Sequence, residues 1–156
     1  FATASLNRYD ADGVIWCVDY VKAHRFLPAR LRHLLEEEGS NLVTAEILDR
    51  FVNSLGELDA TASDGDFVIF FEPPSLDQRI VNQYALFSLM SSPTATFDQW
   101  LALRPELLHR IIIPAALKWE VRDKLDQANI TERVMFPGLD GVSSWLKRLY
   151  SPKETA

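Results

Sequence analysis

A chain of 156 residues that is 47% hydrophobic can bury a core without disulfide or metal staples, which excludes disorder for its bulk. A formal net charge of -6 offers no broad electrostatic footprint for phosphate, so a stable nucleic-acid or anionic-membrane partner is disfavoured. No apolar run approaches the roughly 18 residues of a membrane-spanning helix, and a single cysteine, Cys17, rules out an internal disulfide.

Set in VIWCV, Cys17 reads as a buried thiol, and a reducing cytoplasm fits best. No charged n-region with a cleavage site is visible. FATASL has the apolar spacing of an element already under way, so further sequence is expected to precede Phe1, and Phe1 to Arg8 is expected to end a helix. Asp10, Asp12 and Gly13 supply turn chemistry before a strand near 13–20, whose two apolar faces predict a central position in a sheet.

Pro28 to Glu38 reads as a helix with Gly39 just past its end, its acidic run Glu36 to Glu38 being a solvated face. A second helix follows Ser40, with Val43, Ile47, Leu48, Phe51, Val52 and Leu55 as its apolar stripe and Gly56 closing it. SDGD turns into a buried strand near 66–72, which Pro73 and Pro74 end. A third strand is expected near 84–90. Thr96 with Gln99 then matches a capping box before a short helix. HRIIIP is a fourth strand near 109–113, and Leu117, Val121, Leu125 and Ala128 mark the helix after it. FPGLDG turns into a closing amphipathic helix with Val142, Trp145, Leu146 and Leu149, before the polar tail 151–156. The expectation is one α+β domain over 1–150, a small mixed sheet covered by amphipathic helices.

Metal sites need closely spaced Cys or His pairs, and His24, His33 and His109 have no such neighbours. Neither a GxGxxG, a Walker loop nor a GxSxG elbow occurs, and His109 reads as a strand-edge histidine. The segment Glu72 to Met90 carries the most chemistry. Arg79 and Gln83 stand four apart where the chain leaves one strand and enters the next, and an Arg beside an amide can hold an anionic, hydroxyl-rich ligand. The plainer alternative pairs Arg79 with Asp77 or Glu72 and spends Gln83 on strand-edge backbone. Asp140 reads as a helix N-cap, and Lys118 as a solvated first-turn residue within reach of a ligand near the IIIP strand end.

Taken in order, DGVIWCVD, EPPSLDQRIVNQYALFSLM, HRIIIPAALKWEVRDKLDQANI and VMFPGLDGVSSWLKRLY resemble the C-terminal half of the FRG domain, from Gly13 to Leu149. That family places an Arg and a Gln before a strand with a Phe, as Arg79, Gln83 and Phe87 stand here, and later a strand ending in Pro, a Lys and FPxLDG. Its Phe-Arg-Gly, His-Tyr-Gly, Thr-Arg and Asp-Trp-Thr motifs lie N-terminal to this half and do not occur in the chain, so the resemblance implies an incomplete domain whose partner is its own missing N-terminal part. Tyr84 stands where many relatives carry a small or polar residue, which narrows the site.

The family's three-motif layout is similar to that of ADP-ribosyltransferases. It implies NAD as substrate, no metal, Gln83 as the catalytic residue on the nicotinamide ribose, and Arg79, Tyr84 and Phe87 as the NAD-binding side chains. The company the family keeps suggests a toxin or phage-defence setting. The competing readings are a non-catalytic module that binds a nucleotide or a protein target, and a purely structural half-domain.

Overall fold

The computed structural model describes residues 9–151. The helix end expected over 1–8 and the tail from 152 onward lie outside the described residues. All four expected strands are present, as β1 (Gly13–Val18), β2 (Val68–Phe71), β3 (Phe87–Met90) and β4 (Leu108–Ile113). Helices fill the intervals: α1 (Tyr20–Ala23), α2 (Ala29–Glu37), α3 (Ala45–Phe51), α4 (Leu55–Ala60), α5 (Gln78–Asn82), α6 (Phe97–Ala102), α7 (Lys118–Gln127), α8 (Glu132–Met135) and α9 (Leu139–Tyr150). The fold is α+β. Among the described residues no helix is long and apolar enough to cross a membrane.

The strands form two antiparallel pairs, β1 with β4 and β2 with β3. Phe71 stands opposite Phe87 and Val68 opposite Met90. A single parallel bridge joins Val43 to the outer side of Phe71, which makes this sheet locally mixed. The chain distributes over two compact units. Unit 1 contains 9–16, 75–84 and 110–151; unit 2 contains 17–74 and 85–109.

Unit 2 is organised by β2. Side chains alternate across a strand, so Phe67 and Ile69 face one apolar cluster while Val68 and Phe70 face another. Leu31 and Leu35 of α2, Ile47 and Phe51 of α3 and Leu58 of α4 complete the first; Ala23, Trp100, Leu101 and Leu107 complete the second. Burial on both faces explains the unbroken apolar run FVIFF.

Several expectations are corrected. The helix expected from Ser40 through Leu55 is broken at Val52, whose backbone is extended (φ -143°, ψ 148°). Ser54 then caps α4 by accepting from the Glu57 N–H at 3.2 Å, while the Glu57 carboxylate accepts from the Asn53 N–H at 2.7 Å. Gly56 therefore lies inside α4. The signal, Ser-x-x-Glu, is a capping box that competes with helix continuation. Thr96 does cap α6, but without a side-chain bond to the helix backbone; its hydroxyl engages Asp98 and holds that carboxyl below its usual range. β1 is not a central strand: among the described residues its sheet has two strands, and Val14, Ile15 and Trp16 are exposed, Trp16 by 60%. Cys17 is half-buried.

His24 is a buried histidine in unit 2's core region, 7% exposed. Its Nε2 accepts from the Phe70 N–H at 3.3 Å and the ring also bonds the Asn41 backbone, an arrangement only the neutral imidazole can make. Burial pushes its pKa below the ordinary histidine value. The unfolded chain takes up this proton near pH 6.5, the folded chain only lower. The stability it confers is complete above about pH 6.5 and lost as pH falls through the folded value. Thermal unfolding followed from pH 7.5 to 5.5 is expected to show a falling midpoint, and His24→Gln is expected to lower the midpoint at pH 7.5 by the equivalent of about 1 kcal/mol while flattening that slope.

Candidate functional site

Pro73 and Pro74 end β2, and Asp77 starts α5 by accepting from the Arg79 N–H at 2.6 Å. Arg79 and Gln83 are therefore one helical turn apart, with Gln83 as the C-cap of α5. Tyr84 follows in the left-handed region (φ 47°), an uncommon conformation for a non-glycine, and its side chain is 93% exposed. The strand begins only at Phe87, three residues later than the pattern predicts, because this turn comes first.

The partner of α5 is α8. A helix leaves its last carbonyls without internal partners. Here Asn82 Nδ2 donates to the Val134 carbonyl at 2.7 Å and Gln83 Nε2 to the Met135 carbonyl at 2.8 Å. The Arg79 guanidinium lies over the Phe136 ring at 4.9 Å. It pairs with neither Asp77 nor Glu72. Because a carbonyl can only accept, the Gln83 amide must turn its nitrogen to Met135, which leaves its Oε1 as an oriented acceptor. Arg79, Gln83 and Tyr84 are thus gathered in unit 1. Phe87 belongs to unit 2, where it packs edge-on against Phe71 with ring centroids 5.6 Å apart.

Behind α8 lies a charged cluster. Arg148 of α9 donates to both Asp126 oxygens (2.7 and 2.8 Å) and to both Glu132 oxygens (2.7 and 3.0 Å). Arg122 forms a second ion pair with Glu132. Burial pushes the Glu132 carboxyl up, but the Arg148 hydrogen bonds and the two arginine charges outweigh it and hold it below the usual range. Burial likewise works against the charge on Arg148, and the two carboxylates overcome it and raise its pKa. Tyr9 stacks on Trp119 at 4.1 Å, and its hydroxyl is pushed up by burial beside this cluster.

Three positions differ from expectation. The buried side chains of α7 are Lys118 and Arg122, at 2% and 4% exposure, whereas Leu117 is 46% exposed. Lys118 is therefore not solvated; the charge cluster, not the apolar stripe, decides which face turns inward. Asp140 is not an N-cap: Gly138 (φ 106°) holds that place, and Asp140 stands in the first turn of α9, where the helix dipole favours it. The apolar stripe of α9 is largely exposed, with Val142 at 40% and Leu149 at 53%. His109 is an exposed residue of β4, and among the described residues no group of three or more His, Cys, Asp or Glu could hold a metal ion.

Asn82, Arg148 and Gly141 are contributors that the pattern of residues did not single out. Two adjacent amides ending a helix were a legible signal for Asn82; Arg148 and Gly141 had none at short range. No family model matches the chain, and no curated protein or solved structure matches it.

Gly141 sets how closely α9 passes α8. A Cβ there would overlap the Phe136 carbonyl oxygen and stand 2.8 Å from that of Glu132. Gly141→Ala is expected to destabilise unit 1 by about 3 kcal/mol, the upper range for overpacking, and to shift the Gln83 side-chain amide resonances. Calorimetry and NMR of the same sample check both.

Proposed function

We propose that unit 1 carries the ribose-positioning part of an NAD site and that the complete domain transfers ADP-ribose to a nucleophile. Gln83 is the group on the nicotinamide ribose, with Oε1 accepting from a ribose hydroxyl. The observation that carries this reading is the Gln83 Nε2 bond to the Met135 carbonyl, which fixes the amide before any ligand arrives. Arg79, exposed and stacked on Phe136, supplies a cation for the pyrophosphate, and the exposed Tyr84 ring a surface for a planar group. Nicotinamide would leave with the glycosidic electron pair as the acceptor's nucleophile bonds to the anomeric carbon and loses its proton. An amide orients the ribose but stabilises the developing positive charge less than a carboxylate would, which suits an acceptor that is itself a good nucleophile.

The resemblance to FRG domains supports the same assignment of Arg79 and Gln83. A second reading is favoured by Asn82, which does to Val134 what Gln83 does to Met135. Two parallel amide clamps are also what a purely structural junction of α5 and α8 requires.

The two readings separate by substitution in the full-length natural protein. Gln83→Ala is expected to abolish NAD consumption and weaken NAD binding at least tenfold while costing about 1 kcal/mol of stability, one hydrogen bond. Asn82→Ala is expected to cost the same stability and leave NAD binding intact. Gln83→Glu is expected to be worse for stability than Gln83→Ala, because a carboxylate would face the Met135 carbonyl. NAD consumption and binding by Gln83→Ala at the level of the unsubstituted protein would leave only the structural reading.

A further inference from the structure

Unit 2 has a cavity of about 380 Å³ where α1 and the turn after it meet α2 and the turn that follows Gly39. That size lies at the small end of ligand sites. Its apolar part is Val21 and the buried Leu35, and the His24 ring, already bonded on both sides, gives it a neutral polar wall. Arg25 and Arg32 supply its charge.

Both arginines are exposed, in a chain of net charge -6. Among the described residues neither guanidinium has an ion-pair or hydrogen-bond partner. Carboxylates are not scarce nearby. Glu37 and Glu38 are both taken by Arg50, at 3.0 and 2.5 Å, and Asp19 by Lys22 at 2.9 Å. Glu36 stands one helical turn from Arg32, the usual spacing for a pair, and lines the same cavity, yet its contact is with His33 at 4.0 Å. Two like charges in one depression raise its potential and favour an anion that can take both. Guanidinium forks match phosphate oxygens in pairs.

The other lining groups narrow the class. The Glu36 carboxylate repels a bare anion but accepts from hydroxyls, and the exposed Asn41 amide can both donate and accept. We propose that this cavity binds a small organic phosphate bearing hydroxyl groups, a sugar phosphate in chemical class. Arg25 and Arg32 hold the phosphate, Glu36 and Asn41 the hydroxyls, and Val21 and Leu35 the carbon skeleton. The site lies wholly within unit 2 and does not use Arg79, Gln83 or Tyr84.

Ribose 5-phosphate, inorganic phosphate and ribose, each titrated into the 15N-labelled chain at physiological salt, test it through the Arg side-chain Nε–H and Asn41 resonances. Ribose 5-phosphate is expected to move the Arg25, Arg32 and Asn41 signals saturably and to bind at least tenfold tighter than either inorganic phosphate or ribose. Arg25→Gln and Arg32→Gln are each expected to weaken it about tenfold, the value of a charge-assisted contact, without changing the unfolding midpoint, both side chains being exposed. Arg30→Gln, on the same helix but engaged with the Arg50 carbonyl, is expected to leave binding unchanged. Gln83→Ala is also expected to leave it unchanged, so the outcome is independent of the NAD reading. Equal binding of inorganic phosphate and ribose 5-phosphate would mean an adventitious ion only and overturn the proposal. Absence of saturable shifts, or full binding by Arg32→Gln, would overturn it as well.

Discussion

Unit 1 hangs on the Arg148 guanidinium. It is 7% exposed and donates four hydrogen bonds to two carboxylates, Asp126 at the end of α7 and Glu132 at the start of α8. A buried charge removed from water is stabilising only when its geometry is nearly complete, and deleting one partner of such a cluster typically costs about 3–5 kcal/mol. Here one side chain of α9 fixes the two helices before it. Glu132 sits at the first position of α8, so its anchoring places the carbonyls at the other end of that short helix. Those carbonyls in turn receive Asn82 and Gln83. The orientation of the Gln83 amide is thus inherited from an ion cluster that never touches it.

The basic side chains of this acidic protein fall into distinct states of commitment. Arg148 and Arg50 are saturated by pairs of carboxylates, and Lys124 and Lys22 each hold one acid within a helical turn. Arg104, Arg133 and Arg79 lie over aromatic rings. Arg79 differs from Arg148 in being exposed, so its charge stays available to a ligand while its plane is held by Phe136. Among the described residues Arg25 and Arg32 have neither ring nor acid. Near Arg25 and Arg32 the carboxylates of Asp19, Glu37 and Glu38 are paired with other cations.

The strands and the class of fold were legible because short β-branched and aromatic runs bounded by Gly, Pro and Asp have few other uses. α2 was legible down to its Pro28 start and Gly39 stop. What local pattern did not carry was partnership. FVIFF and GVIWCV look alike as runs, yet β2 is buried on both faces and β1 is not, since the difference lies in helices distant in sequence. Lys118 reads as solvated because charge is normally outside, yet it is buried, as is Arg122, for which Glu132, ten residues further on, brings compensating charge. Of the candidate site, Arg79 and Gln83 were found by their spacing at a strand exit. Their anchors on α8 were not, because a backbone carbonyl has no residue type to announce it.

The interleaving of the two units also bears on time. Every residue of unit 2 has been synthesised once the chain reaches His109, whereas the first strand residues of unit 1 wait for Arg110 and beyond. A chain emerging from the ribosome can therefore close the double-faced core around β2 while Val14, Ile15 and Trp16 still lack β4. Joining them last costs little extra entropy, since loop-closure cost rises only with the logarithm of loop length and the intervening residues are by then already compact. From Val18 until Leu108 is made, the nascent chain thus carries the apolar residues of β1 without the strand that pairs with them.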